Sequence, residues 1–351
     1  MKIKEIEKLF DEFLSKIDKK MFKNLDDIDQ KHKFITDKAF DEIIKDKKNF
    51  LKSFRDWKLQ GDFAAPPQVS IEHFTKLGLP QTIKLFLKKL LFWRHNDFKN
   101  SFFDDLKILE MSNAFDLLKK NPVHITPGVK SFYEYKGAYT NYRWNRYAYL
   151  ANRIIEQGLL DTVQNHIDIG SFYGGLQSFL KKKYKSKNYY LIDFSHQLLR
   201  SFIFLKSLYP DSNHIVSSEI MSQKTQDLEN SFIYIPVEKF DIIKDVDFGL
   251  LTNFFSFGEM KRNTFKNYID SNHLKHSKNL YFVNRFVSSP FFEKTYDSDL
   301  NIFDYDLKKN FKLTYFDIFP IHHYQTPNRL LFDKIRCRPV SSPYFEMVYK
   351  K

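Results

Sequence analysis

Several things are scarce in this chain. A single cysteine, Cys337, stands among 351 residues. That excludes a disulfide framework and a cysteine-based zinc site, and it suits a reducing compartment. No apolar run approaches the roughly 20 residues needed to span a bilayer. The opening MKIKEIEKLFDEF is charged throughout and lacks the apolar core of a signal peptide. The expectation is a cytoplasmic protein with no transmembrane segment. Gly and Ala are few, while Lys, Asn, Ile, Phe and Tyr abound, a bias that follows from an AT-rich genome. The formal charge of +13 is therefore not in itself a nucleic-acid footprint, since most lysines alternate with Asp and Glu on helical faces. The densest block, Lys181-Lys182-Lys183-Tyr184-Lys185, falls at the end of a helical pattern, where cations suit the helix dipole. No nucleic-acid partner is expected. A sugar nucleotide, an acidic glycan or peripheral contact with an acidic membrane surface would each suit the charge.

What is present is organised around residues 165–197. NHIDIG is an apolar run closed by an acid and a glycine, SFYGG is a glycine-bearing turn, and LQSFLKKKYK has helical periodicity. NYYLID then ends a second apolar run in Asp193. This is the opening β-α-β of a doubly wound sheet. Gly170 would turn the backbone sharply out of the first strand, and Gly174 and Gly175 would let a ligand approach the free N–H groups of the helix. Asp193 follows at about the twenty-residue spacing from which an acid at the tip of the second strand reaches ribose hydroxyls. The glycine order is G-x-x-x-G-G, not the pyrophosphate-holding G-x-G-x-x-G, and no phosphate-binding lysine follows as in a P-loop.

The preceding 120 residues are predominantly helical, with an apolar stripe Ile3, Ile6, Leu9, Phe10, Phe13, Leu14, Ile17 and a second stretch over 34–57. GDFAAPP (61–67) reads as loop, and QTIKLFLKKLLFW (81–93) as a further helix. NPVHITPG (121–128) is a linker, after which an aromatic and polar segment, 131–146, leads into a helix ending at Gly158. The expected organisation is a helical N-terminal accessory domain over 1–120, a linker and site-covering segment over 121–164, and the sheet domain over 165–351. The first of these would shape an acceptor site, form a homodimer, or pack as a lid.

Asp168-x-Gly170 with a looser glycine turn looks like the first motif of class I S-adenosylmethionine (SAM) methyltransferases, whose cofactor carries ribose and adenine but no phosphate. Downstream, VDFGLLTNFFSFGEM (246–260) ends in Asn253-Phe254-Phe255-Ser256-Phe257-Gly258-Glu259-Met260. Together with LIDFSHQLL this resembles a bacterial family of sugar O-methyltransferases that share an N-x-x-S-F-x-E-M element after the fourth strand. The resemblance covers roughly residue 130 to the C-terminus; the fine detail of Ser171-Phe172-Tyr173 departs from it. It implies a Rossmann-like, seven-stranded α/β sheet closed by an antiparallel hairpin from FKLTYFDIF and PYFEMVYK. It also implies SAM as cofactor and S-adenosyl-L-homocysteine as product.

The rule that open α/β sheets bind ligands beyond the carboxyl ends of their strands assembles the candidate site. Asp168, Gly170, Ser171, Tyr173, Gly174, Gly175, Asp193, Phe194, Asn253 and Phe254 would meet the cofactor. Pro236 and Val237 would flank its adenine if FIYIP, rather than HIV (214–216), is the third strand. Methyl transfer to a hydroxyl needs alignment and removal of one proton, for which a carboxylate or imidazole suffices without a metal. The candidate bases are Glu259, His322, His323 and His214, with Glu259 preferred for its place after the fourth strand. Glu259 could equally be a structural carboxylate. Tyr139, Asn141, Arg143, Asn284 and Arg285 would hold the acceptor, whereas Trp144 reads as core. The DYD of 304–306 is too little for a metal site. The reading is a sugar O-methyltransferase of surface polysaccharide or glycan assembly. The alternatives are a small-molecule methyltransferase and a catalytically silent SAM-binding subunit.

Overall fold

The computed structural model describes residues 3–17, 43–55, 95–129, 132–216, 228–243, 246–260, 262–287, 300–321 and 344–351. The helical N-terminal part contributes α1 (Ile3–Lys16), α2 (Lys47–Ser53), α3 (His95–Met111) and α4 (Phe115–Lys120). The stripe Ile6, Phe10, Phe13, Ile17 is buried as its spacing predicts; of the second expected stretch, 34–57, the described residues hold α2, and 34–42 lie outside them. The helix expected over 81–93 and the loop over 61–67 lie outside the described residues. A small antiparallel hairpin, β1 (Tyr133–Tyr135) and β2 (Ala138–Thr140), leads into α5 (Tyr142–Glu156).

The sheet then builds in the anticipated order: β3 (Asn165–Ile169), α6 (Gly175–Lys183), β4 (Asn188–Asp193), α7 (Ser195–Leu208), β5 (Asn213–Val216) and β6 (Ser231–Pro236). After these come β7 (Leu250–Phe254), α8 (Arg262–Ile269), α9 (Asn272–His276), β8 (Asn279–Arg285), β9 (Lys312–Ile318) and β10 (Tyr344–Lys350). The spatial order is β5-β6-β4-β3-β7-β8-β10-β9. The strands from β5 to β8 pair in parallel, and β10 is antiparallel to both β8 and β9. Among the described residues the main sheet therefore has eight strands where seven were expected. Both FIYIP and HIV form strands: FIYIP takes the third position beside β4, and HIV adds an extra parallel strand at the edge.

Alternation along each strand divides the core into two layers. Tyr189 and Leu191 of β4, Phe232 and Tyr234 of β6, and Tyr281 and Val283 of β8 face one layer. Tyr190, Ile192, Ile233, Ile235, Leu280 and Phe282 face the other. Burial on both faces is why these strands read as near-continuous apolar runs. The first layer also takes in α1, α2, α5, α6 and α7, so the N-terminal helices share one apolar cluster with the sheet. Phe13 meets Phe202 of α7 at 5.3 Å between ring centroids. Arg55, 2 % exposed, bonds Thr126 Oγ1 at 2.6 Å and the Pro127 carbonyl at 2.9 Å, and its guanidinium lies 4.7 Å from the Tyr173 ring centre.

Candidate functional site

The chain leaves β3 through residues in left-handed backbone: Gly170 (φ +78°), Phe172 (φ +55°) and Gly174 (φ +80°). This curl brings the Phe172 N–H to Asp193 at the tip of β4, where it donates to Oδ2 at 2.6 Å, while the Phe194 N–H donates to Oδ1 at 2.7 Å. Burial pushes the Asp193 carboxyl up to about 7 against those two bonds. A carboxylate has more acceptor positions than two N–H groups fill, so Asp193 retains capacity for hydroxyl donors. Beside it, the Ser171 hydroxyl is buried without a partner among the described residues. Asp168 lies one layer below. It accepts from Thr252 Oγ1 and Gln177 Nε2, each at 2.7 Å, and burial raises it to about 6.

The glycines differ from expectation in what approaches them. The space above Gly174 is filled by Leu205, that above Gly175 by Tyr147, and that above Gly170 by Ser256. Close packing of helix and loop on the sheet requires glycine here. Tyr173 likewise has its ring buried among Arg55, Tyr147 and Phe204, within the helical layer.

Across the sheet, Asn253 at the end of β7 is fully buried. Its Nδ2 donates to the Ile169 carbonyl (2.8 Å) and to Ser256 Oγ (2.5 Å), and its Oδ1 accepts from the Phe257 N–H (3.0 Å). Asn284 of β8 donates to the same Oδ1 at 3.0 Å, and its own Oδ1 accepts from the Gly258 N–H at 3.2 Å. The two asparagines thus tie the turn after β7 to its neighbouring strands. Both were expected to touch ligand; their amides hold the turn instead. Phe254 packs edge-on to Tyr281 at 5.0 Å.

That turn carries Glu259. The Glu259 side chain is half-buried, and among the described residues it forms no ion pair. Burial pushes its carboxyl up to about 7, opposed by the charges of Arg285 and Arg143. Arg285 donates from Nε to the Tyr344 hydroxyl at 2.7 Å. The Arg143 guanidinium lies 4.1 Å from the Phe172 ring centre, linking α5 to the loop after β3. Glu259, Arg143 and Arg285, from separate stretches of the chain, therefore lie near enough for the two cations to act on the carboxyl.

The other expected residues fall as follows. Pro236 ends β6 in register with Asp193, and Val237 follows it, both at the strand tips. Phe194 stacks on His196 at 5.9 Å. Asn141 caps α5, its side chain accepting from the Trp144 N–H at 2.9 Å, and is buried. Tyr139 lies on the hairpin, its ring centre 4.0 Å from that of His124. Trp144 is core, donating Nε1–H to the Asn121 carbonyl at 2.6 Å. His214 is excluded as a base: it is buried on the edge strand between the Tyr234 hydroxyl and the Tyr209 carbonyl, each at 2.9 Å, and burial lowers it to about 4. His322 and His323 lie outside the described residues. Three residues of this region escaped the sequence reading: Arg146, Phe255 and Tyr344. The i, i+3 spacing of Arg143 and Arg146, which puts them on one face of the helix, was the available signal.

A parallel sheet in this order, closed by a reversed terminal hairpin, defines a Rossmann-like methyltransferase fold. No protein-family model matches the chain, and no curated protein does. Solved structures of similar fold include M. capricolum TrmK in complex with S-adenosyl-homocysteine, at 12% identity and TM-score 0.33, covering 58% of this chain and 68% of that one. A SAM-dependent methyltransferase from Clostridium acetobutylicum shares 12% identity at TM-score 0.35, over 60% and 92% of the two chains. The N-terminal domain of EvdMO1, solved with S-adenosyl-homocysteine and D-fucose, shares 11% at TM-score 0.38, over 69% and 95%. At these identities the likeness concerns the fold.

Proposed function

We propose that the chain is a SAM-dependent O-methyltransferase acting on a sugar hydroxyl in glycan assembly. The observation that carries the reading is the division of labour across the strand tips. A buried acid, Asp193, and the left-handed loop after β3 occupy one side of the switch between β3 and β7. A half-buried carboxylate, Glu259, with no ion pair among the described residues occupies the other, on the turn after β7. Ligands of open α/β sheets sit at that switch.

The fit to SAM is chemical. Asp193 offers acceptor capacity to ribose hydroxyls, and Ser171 offers an unmatched hydroxyl. The loop has no phosphate-binding lysine. When bound, SAM supplies an electrophilic methyl group. Asp193 and the 170–175 loop would bind and orient it, with Pro236 and Val237 on the adenine side. Glu259 in its ionised form would accept the proton of the acceptor hydroxyl. Arg143 and Arg285 steady the acceptor and the charge of Glu259. The N-terminal helices, an accessory domain in this proposal, brace α7 from behind.

Calorimetric titration with SAM and S-adenosyl-homocysteine, wild type beside Asp193→Ala, tests the cofactor. Both ligands should bind the wild type, and the variant should bind at least about tenfold more weakly, as expected for a lost hydrogen bond to a charged group. Absence of binding to the wild type would sink the reading.

A further inference from the structure

Arg146 lies on α5 one turn beyond Arg143, and it is 3 % exposed. Its Nε is buried without a partner, and among the described residues its guanidinium makes no hydrogen bond or ion pair. What it does touch is aromatic: the ring centre of Phe255 is 5.2 Å away. Asp105, an acid whose charge acts on Arg146, does not close to an ion pair with it. A buried cation without a partner opposes folding, since burial removes hydration that nothing replaces. Natural proteins keep such a group where a ligand completes it.

The surroundings say what the ligand is. Phe255 stands at the tip of β7 in left-handed backbone (φ +66°), a conformation unfavourable to a large side chain. That conformation places its ring against Phe319 (5.3 Å), Tyr344 (5.2 Å) and Arg146. Tyr344 in turn receives Nε–H of Arg285. Arg143 acts electrostatically on Arg146, and Arg143 and Arg285 both act on Glu259. Two guanidiniums, of Arg146 and Arg285, thus lie against an aromatic wall at the strand tips, and the charge of a third, Arg143, acts on Arg146 and on the carboxylate of Glu259.

We infer that this corner binds an anionic group of the acceptor, a carboxylate or phosphate carried by the sugar, with Arg146 as its buried anchor. The inference rests on the methyltransferase reading for the word acceptor; the anion site itself does not depend on it. Planar guanidiniums match both anions through paired N–H donors. The aromatic wall of Phe255, Phe319 and Tyr344 suits the apolar face of a sugar ring. Bound there, the anion would place a neighbouring hydroxyl towards Glu259.

The test uses the full chain and three probes at equal ionic strength: glucuronate, glucose 1-phosphate and glucose. Thermal shift on the wild type should rise with one or both anionic probes and not with glucose. A rise with glucuronate alone assigns a carboxylate, and a rise with glucose 1-phosphate alone a phosphate. Titration should then show at least tenfold weaker binding of that probe to Arg146→Met, with SAM affinity unchanged. Without ligand, Arg146→Met should melt above the wild type, because an uncompensated charge has gone; a merely structural arginine would give the reverse. No shift by either anion overturns the inference. So does equal binding by Arg146→Met, or loss of SAM binding alone, which would assign the arginine to the carboxylate of the cofactor. Anion binding without SAM binding would instead keep the site and remove the methyltransferase reading.

Discussion

Burial raises the Glu259 carboxyl to about 7 while two guanidiniums pull the other way. A general base works best when its pKa lies near the operating pH. With Glu259 as base, turnover should increase as pH climbs through about 7, where the carboxyl loses its proton, and level off above. Replacing it by Gln keeps the size and removes the base. Glu259→Gln should lower kcat by about 10²-fold or more, flatten the pH profile, and leave SAM affinity as it was. Steady-state rates from pH 5.5 to 9 on both proteins check this. An unchanged profile in the variant would make Glu259 a structural carboxylate. The sequence placed Glu259 by its motif. It could not show that the neighbouring Asn253 and Asn284 spend their amides on the turn. Asparagine at a strand tip reads the same whether its partner is a ligand or a backbone N–H.

At the scale of elements, the junction of β3 and α6 shows how packing reverses an ordinary expectation. Gly→Ala in a helix commonly stabilises by about 0.4–1 kcal/mol through the unfolded chain. Gly175 has an unremarkable helical backbone, but a methyl group there would meet the ring of Tyr147 on α5. Tyr147 is itself buried and packs against Tyr173. Gly175→Ala should therefore destabilise, by about 1–3 kcal/mol as in other overpacked cores, seen as a lower urea midpoint with the slope unchanged. A stabilised variant would mean that the ring moves aside freely. The turn itself was legible from SFYGG, and so was the acid at the tip of β4. The extra edge strand was not, because HIV and FIYIP are equally strand-like, and only lateral pairing decides that both join the sheet and in which order.

At the scale of the molecule, the N-terminal helices and the sheet share an apolar layer. Phe13 of α1 is fully buried and meets Phe202, while Glu12 pairs with Lys206 of α7 at 2.5 Å. That ion pair is partly exposed, and such pairs contribute little; the ring contact is the stronger tie. Phe13→Ala should remove about 3–5 kcal/mol and lower one common melting transition, followed by calorimetry. Two separated transitions, with only the first displaced, would show that the helices fold as an independent unit.

Sequence alone determined the β-α-β opening, the strand-tip acids, the terminal hairpin and the amphipathic first helix. Each of these is a local pattern: apolar period, glycine, or acid at a fixed offset. Tertiary structure decided which polar residues are free for a ligand. Among the described residues Glu259 has no ion pair, and the N–H groups of Phe257 and Gly258 just before it go to Asn253 and Asn284. Arg146 lies buried against Phe255, and among the described residues no acid forms an ion pair with it. Whether a polar group is satisfied depends on partners that the fold brings together from separate stretches of the chain, and no local pattern carries that information.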